Sequence, residues 1–106
     1  MITLEDFKKL ELIVAQIKEV KEHPNADRLY VVKVETGAGE RQLVAGIRRS
    51  YTPDQLVGRR VVMVANLAPA VIRGVESQGM ILAATDEQGI AVIGPERDVA
   101  LGSVVK

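Results

Sequence analysis

The stretch most informative about the fold is Arg60-Val61-Val62-Met63-Val64-Ala65. Apolar residues at successive positions leave both faces of an extended segment apolar, and short runs rich in valine favour a strand over a helix. A strand of this kind is typical of the middle of a sheet, where both faces are covered. The sequence therefore predicts a central β-strand here, with the flanking segments packed around it.

Three strand patterns precede this segment. They lie at Leu12 to Val20, Leu29 to Val34 and Arg41 to Ala45. The turn residues His23-Pro24-Asn25-Ala26-Asp27 separate the first two strands, and Gly37-Ala38-Gly39 separates the second from the third. The apolar phase of the first strand shifts at Val20, which predicts a β-bulge or a sharp coil.

Two more strand patterns follow the central one. They lie at Met80 to Ala84 and Ile90 to Ile93, with a turn at Asp86 to Gly89 between them. Thr3 followed by Asp6 predicts a capped helix start, and Thr52-Pro53 predicts a one-turn helix. This order suits an all-β, five-stranded Greek-key barrel of the OB-fold type with a short N-terminal helix. A β-sandwich is the competing architecture.

Composition excludes several classes of function. The chain has 106 residues, 47% of them hydrophobic and 26% charged, which is typical of one globular domain. It has no cysteine and one histidine, so disulfides, thiolate catalysis, cysteine-ligated zinc and histidine-rich metal clusters are excluded. No apolar run approaches the ~20 residues of a membrane span, and the N-terminus does not resemble a signal peptide. We expect a cytoplasmic protein without metal or other cofactor and without a membrane partner.

No catalytic constellation is evident. Ser77 lies in Glu76-Ser77-Gln78-Gly79, which lacks the first glycine of a nucleophile elbow. His23 precedes a proline in a turn, where we expect a solvated structural role. An enzyme would need a nucleophile or a metal site that this sequence does not offer, so we expect no catalytic residues.

Charge is balanced overall and uneven along the chain. Lysine plus arginine and aspartate plus glutamate number 14 each, yet residues 48–73 carry a net charge of +4. All five cations of this segment are arginines: Arg48, Arg49, Arg59, Arg60 and Arg73. Guanidinium groups bind phosphate in a bidentate manner better than lysine does. The segment is either a basic binding surface or a set of charges that solvate strand ends, and composition alone leaves both open.

The connection from Ala65 to Met80 is long for a small domain, and such loops often carry function. Its two glycines permit positive φ or close backbone approach. Asn66 and Ser77 offer donors and acceptors suited to sugar hydroxyls, phosphates or base edges. The alternative is an ordered crossover with Met80 in the core, and for Met80 itself we expect core packing.

Two blocks of this region resemble the signature of the tRNA-binding domain family. They are Val-Met-Val-Ala-Asn-Leu-Ala-Pro at 62–69 and Arg-Gly-Val-Glu-Ser-Gln-Gly-Met-Ile-Leu-Ala-Ala at 73–84. Further matching segments lie at 2–9, 26–29, 44–47, 56–59 and 95–105, so the resemblance spans essentially the whole chain. The family includes free-standing bacterial proteins and the C-terminal domains of many methionyl-tRNA synthetases.

The resemblance implies one tRNA-binding OB-fold domain over residues 1–106, with a C-terminal extension that forms a homodimer interface. It implies structure-selective, largely sequence-independent binding of tRNA, in a free-standing protein or in an aminoacyl-tRNA synthetase. The residues that match the family's tRNA-contacting loop are Asn66, Arg73, Ser77, Gly79 and Met80. The basic face of the barrel is expected to carry Arg28, Lys33, Arg41, Arg48 and Arg49. We expect Ser77→Ala and Met80→Ala to weaken tRNA binding without unfolding the barrel.

Two departures bear on affinity. Family members often carry cations at the positions of Ile13 and Val71, so binding is expected to be weaker here unless other arginines compensate. A chaperone-like, peptide-binding OB-fold homodimer is the alternative function, although that branch departs from the Ser-x-Gly-Met pattern kept here. Aromatic residues are scarce, which disfavours base stacking on aromatic rings and favours contacts with phosphates, sugars and RNA shape.

Overall fold

A computed structural model describes all 106 residues of the chain. Its elements are α1 (Leu4–Phe7), β1 (Leu12–Glu22), β2 (Tyr30–Glu35), β3 (Glu40–Ala45), α2 (Pro53–Leu56), β4 (Arg60–Val64), β5 (Ala70–Ile72), β6 (Val75–Ser77), β7 (Met80–Ile81), β8 (Ala83–Asp86), β9 (Gly89–Val92) and β10 (Val104–Val105). No helix is long and apolar enough to cross a lipid bilayer.

Six strands form one curled antiparallel sheet in the order β3-β2-β1-β4-β7, with β10 pairing to β1. The predicted central strand is β4, which lies between β1 and β7 and buries Val61 to Val64. The β5–β6 and β8–β9 pairs form two separate two-stranded sheets. The all-β OB-like barrel is therefore confirmed. The sandwich is wrong, because a single curled sheet surrounds the main core.

The interior of the barrel is filled by aliphatic side chains from several strands and from α2. The largest fully buried side chains are Ile17, Leu43, Leu56 and Met63, from β1, β3, α2 and β4. Burying a side chain of this size stabilises the fold by roughly 1.5–3 kcal/mol. Leu56 anchors the short helix α2 against the barrel, as expected for a helix too short to be stable alone.

The predicted irregularity in the first strand is confirmed as a β-bulge. Ile17 pairs with Val34 and Glu19 pairs with Lys33, so Lys18 has no partner on β2. Bulges bend a strand and increase its twist. The first half of β1 pairs with β4 and the second half with β2, so this bend allows one strand to curl the sheet into a barrel.

A smaller apolar layer lies outside the barrel. Leu12, Val62 and Val64 form a second buried cluster, against which Phe7 and Val105 pack. The N-terminal helix and the C-terminal strand therefore cover an outer face of β1 and β4. Thr3 and Asp6 form the predicted capping box at the start of this helix, through two 3.2 Å hydrogen bonds. The backbone N–H of Thr3, with help from Lys9, holds the pKa of Asp6 below its usual range.

The fifth predicted strand, Met80 to Ala84, is wrong in extent. Pairing with β4 ends at Ile81, and Ala83 begins a separate hairpin with Val92. Leu82 marks the change of partner, since its N–H donates to the Val62 carbonyl while its own carbonyl accepts from Ile93. The chain stays extended through this point, which is why a pattern of apolar residues could not reveal the break.

Candidate nucleic-acid interface

The long connection between β4 and β7 contains a β-hairpin that the sequence did not predict. β5 and β6 pair across a two-residue turn formed by Arg73 and Gly74. Both turn residues have positive φ, 52° and 88°, the geometry that suits the twist of a two-residue hairpin. Arg73 is the one non-glycine residue with positive φ, a conformation that costs an L-residue roughly 1–2 kcal/mol. Asn-Gly is the usual hairpin signal, so an arginine at this position concealed the turn.

Ser77 is a buried structural residue at the end of this hairpin. Its side chain is 3% exposed, and its hydroxyl accepts a 2.9 Å hydrogen bond from the Val44 N–H and donates a 3.0 Å bond to the Gly79 carbonyl. Gln78 makes two hydrogen bonds to the backbone of Gln42 on β3. Its N–H donates to the Gln42 carbonyl, and its side-chain Oε1 accepts from the Gln42 N–H. These bonds join the two ends of the curled sheet, β3 and the segment entering β7.

Gly79 allows the closest backbone approach in this region. Its φ is +142°, and a Cβ at this position would lie 2.8 Å from the Met63 methyl carbon and 2.9 Å from the Val64 carbonyl oxygen. Any larger residue would push the loop away from β4. The glycine is therefore required by packing beneath the loop.

Met80 does not lie in the core, so that expectation is wrong. Met80 is 46% exposed, because it lies at the end of the short edge strand β7. Met80 lines an apolar groove of about 470 Å³ with Leu67, Ile72, Ile81 and Ile47. No aromatic residue lines this groove. Tyr30 instead donates from its hydroxyl to the Tyr51 carbonyl at 2.7 Å, so its polar tip is used inside the fold.

Three of the predicted arginines meet at the turn between β1 and β2, and a fourth adjoins them in sequence. Arg73 donates from Nη2 to the Asn25 carbonyl at 3.1 Å, and Arg48 donates from Nη1 to the neighbouring Ala26 carbonyl at 3.2 Å. The Arg48 N–H also donates to the carbonyl of Arg28, at 3.4 Å, and Arg49 follows in sequence. Hydrogen bonds to neutral carbonyls orient a guanidinium group without cancelling its charge.

Only one of these four arginines forms an ion pair. Arg48 pairs with the Glu22 carboxylate at 2.8 Å. Arg28, Arg49 and Arg73 are exposed and have no acidic partner within 4.0 Å. Three of the four guanidinium groups therefore form no ion pair within the chain.

The remaining predicted residues lie apart from this cluster. Lys33 pairs across the sheet with Gln42 while Arg41 pairs with Val34, so Lys33 and Arg41 point to opposite faces. Arg41 crosses the barrel to the Ala65 carbonyl. Lys33 lies opposite Glu19, whose pKa is lowered first by a hydrogen bond from Lys21 and to a lesser degree by the charge of Lys33. The five barrel cations therefore do not form a single basic face in the structure.

Asn66 holds the N-terminal segment to the barrel. Its Oδ1 accepts from the Glu11 N–H at 2.8 Å and its Nδ2 donates to the Lys9 carbonyl at 2.7 Å. Both polar atoms of the side chain are therefore used within the fold. Its contact with RNA stays a prediction, as do those of the other residues of the loop.

His23 is the residue whose environment the sequence misjudged. It is 3% exposed rather than solvated, and its ring forms hydrogen bonds with both the turn after β1 and the β5–β6 hairpin. Its structural role is as expected, but a turn histidine gave no signal that a distant hairpin would cover it.

Comparison with known proteins places these observations in a family. The family model of the tRNA-binding domain matches residues 12–104. The methionine–tRNA ligase of Pyrococcus horikoshii is 51% identical over 105 residues, which cover 99% of this chain and 14% of that protein. The chain thus spans about 14% of the length of this curated relative.

Solved structures show the same fold over the whole chain. A MetRS related protein from Pyrococcus horikoshii superposes with a TM-score of 0.92 at 31% identity, covering 100% of this chain and 98% of the other. The CsaA chaperone protein from Picrophilus torridus gives a TM-score of 0.94 at 28% identity and covers both chains completely.

The burial of Ser77 revises the expectation that Ser77→Ala spares the fold. Removing the hydroxyl leaves the Val44 N–H without its acceptor, so we expect Ser77→Ala to lower the free energy of unfolding by about 1–3 kcal/mol. The control is Met80→Ala, which removes a half-exposed side chain and should change stability by no more than about 0.5 kcal/mol. Urea unfolding of both variants measures this, and equal stabilities would contradict the role assigned to Ser77.

Proposed function

The chain belongs to the tRNA-binding domain family, and we propose that it binds folded tRNA through phosphate, sugar and shape contacts, with little dependence on base sequence. One observation carries the proposal: the hairpin that bears the family signature displays an arginine without an acidic partner, beside three further arginines at one end of the barrel. Clustered guanidinium groups of this kind suit the closely spaced phosphates of folded RNA.

The number of arginines in the cluster predicts that tRNA affinity depends only modestly on salt concentration. Each phosphate neutralised on nucleic acid contributes about 0.7–0.9 to the slope of log affinity against log salt. Three to four contacting arginines would give slopes of about −2 to −4. Because Ile13 and Val71 carry no charge, we expect the slope to lie nearer −2 than −4.

The groove beside the cluster supplies a second kind of contact. Met80 and Leu67 present apolar surface to solvent, and no aromatic ring lies among the lining residues. Such a surface suits the apolar side of a ribose or the edge of a base better than it suits stacking of successive unpaired bases. This supports recognition of a folded RNA over an extended single strand.

We propose that the chain serves tRNA capture either within a methionine–tRNA ligase or as a separate protein that assists such an enzyme in the cytoplasm. The first setting follows the relative of which this chain spans 14%, and the second follows the MetRS related protein of matching length. In both settings the chain contributes binding and takes no catalytic part in aminoacylation.

We further propose a homodimer that uses the C-terminal extension. Valines at positions 14 and 62 lie on the outer face of β1 and β4, where they line a groove of about 680 Å³ together with Ile93, Val99 and Val104. Val104 is 71% exposed and Ile93 is 43% exposed, so apolar side chains are open to solvent in a groove that Arg97, Asp98 and Lys106 also line. Burial of such side chains against a second copy supports the dimer, which would also place two basic clusters on one assembly.

The oligomeric state tests this directly. We expect size-exclusion chromatography with light scattering to give twice the chain mass of 11.5 kDa, and Val104→Glu to give the monomer because a buried charge opposes association. Val57→Glu is the matched control, since Val57 is an exposed valine at the end of α2. A monomeric parent protein would contradict the dimer, and a dimeric Val104→Glu protein would contradict its location.

Binding to RNA is the main test of the proposed function. We expect fluorescence anisotropy to show tighter binding to mixed folded tRNA than to an unstructured RNA of equal length, similar affinities among tRNA species, and weakening with salt. Equal affinity for the two RNAs, or no binding to either, would refute the proposal. Binding of unfolded peptides without tRNA binding would favour the chaperone-like alternative, to which the apolar groove and the CsaA likeness lend some support.

Individual arginines should act through phosphates. We expect Arg49→Ala and Arg73→Ala each to weaken binding of all tRNAs about tenfold and to reduce the salt slope by about 1, because each removes one charge-assisted contact. Lys18→Ala is the control, since Lys18 is an exposed cation on the bulge of β1. A loss confined to one tRNA species would contradict recognition by shape.

A further inference from the structure

A single buried imidazole joins two loops that are distant in sequence. His23 Nδ1 accepts a 2.9 Å hydrogen bond from the Asn25 N–H, and Nε2 lies 3.0 Å from the Ile72 carbonyl oxygen. Because Nδ1 accepts, the ring proton resides on Nε2 and donates to Ile72; this tautomer follows from the hydrogen-bond network. The ring therefore connects the β1–β2 turn to the last residue of β5.

The two loops also exchange bonds next to the imidazole. The Asn25 side-chain amide donates to the Arg73 carbonyl at 3.4 Å, and Arg73 Nη2 returns a 3.1 Å bond to the Asn25 carbonyl. Both ends of Arg73, its carbonyl and its guanidinium, are thus tied to one residue of the β1–β2 turn. Of these contacts, the bond from His23 is the one made by a buried side chain.

The hairpin has few other attachments near its turn. β5 pairs only with β6 in the sheet, and β6 is fixed to β3 through Glu76, Ser77 and Gln78. Without the bond from His23, the strained turn at Arg73 would be joined to the β1–β2 turn only by the exposed bonds to Asn25. A conformation of this kind persists when its surroundings over-determine it.

The same β1–β2 turn also fixes the other arginines. Arg48 donates to the Ala26 carbonyl, one residue after Asn25, and its backbone N–H bonds Arg28. The relative positions of Arg73, Arg48 and Arg28 therefore depend on one short turn, and His23 is the buried residue that connects Arg73 to it.

We propose that His23 is a positioning residue for RNA binding, which holds the β5–β6 hairpin so that Arg73 is presented beside Arg28, Arg48 and Arg49. The inference rests on the proposed function, since it concerns the same surface. Its physical basis is preorganisation: an arginine already held in place loses less conformational entropy when it meets a phosphate. Because His23 itself is buried, it acts on the RNA-binding surface only through the hairpin that it holds.

Two substitutions separate the two bonds of the ring. His23→Gln places an amide N–H near the position of Nε2 and retains the donor to Ile72. His23→Asn places a carbonyl oxygen near the position of Nδ1, which retains the bond from Asn25 but is too short to reach Ile72. We expect tRNA affinity to fall three- to tenfold in His23→Asn and to stay within twofold of the parent protein in His23→Gln.

The order of the hairpin provides a readout that does not involve RNA. In the free protein we expect backbone amide exchange over residues 70–77 to accelerate at least fivefold in His23→Asn, and by more than exchange of the β4 amides, which reports the loss of global stability. Imidazole ¹⁵N chemical shifts of the parent protein should show the Nε2-protonated tautomer. Unchanged exchange in the hairpin would overturn the inference whatever the RNA data show.

A double-mutant cycle distinguishes positioning from general destabilisation. If His23 acts through Arg73, His23→Asn should cause no further loss of tRNA affinity in an Arg73→Ala background. The same loss in both backgrounds would overturn the inference while leaving the proposed function intact. Absence of tRNA binding by the parent protein would refute the proposed function, and with it any role of His23 in RNA binding.

Discussion

The hydroxyl of Ser77 is the contact on which both the barrel and the candidate interface depend. It accepts from the backbone of β3 and donates to the backbone of its own loop, so one buried oxygen closes the sheet and shapes the loop. An edge strand that lacks a full ladder leaves backbone N–H groups without partners, and each such group costs free energy when buried. Side-chain oxygens of Ser77 and Gln78 satisfy two of these groups on β3. The barrel is thus closed by side chains as well as by strand pairing.

This arrangement separates the family signature into residues that build the loop and residues that it displays. Ser77, Gly79 and Asn66 are occupied by the fold: the first bonds β3, the second packs against β4, and the third holds the N-terminal segment. Met80 and Arg73 are exposed. A signature that is specific in sequence can therefore be mostly structural, and loss of binding on changing Ser77 would by itself say little about contact with RNA.

More of the fold than of the candidate site could be predicted from the sequence. The apolar patterns predicted β1 to β4, and the phase shift near Val20 correctly indicated a bulge, because both depend on which side chains face the core. The β5–β6 hairpin was missed because Arg73 occupies a turn position where glycine or asparagine is the usual signal. The burial of His23 and the exposure of Met80 depend on where that hairpin folds, and a local pattern carries no information about such a contact. The approach of Arg73 to the turn that carries Arg28 could not be predicted for the same reason.

The pairing of β1 also bears on how this chain reaches its folded state. β1 takes partners from three parts of the sequence: β2 directly after it, β4 about fifty residues on, and β10, where Leu12 meets Val105. Long-range pairings of this kind raise the contact order, and high contact order slows folding because the intervening chain must be ordered first. During synthesis, the β1–β2 hairpin can form early, whereas the outer layer over Leu12 and Val62 closes only after residue 105 has left the ribosome. Until then the apolar outer face of β1 and β4 lacks the cover that Val105 provides, so the newly made chain exposes apolar surface that favours aggregation.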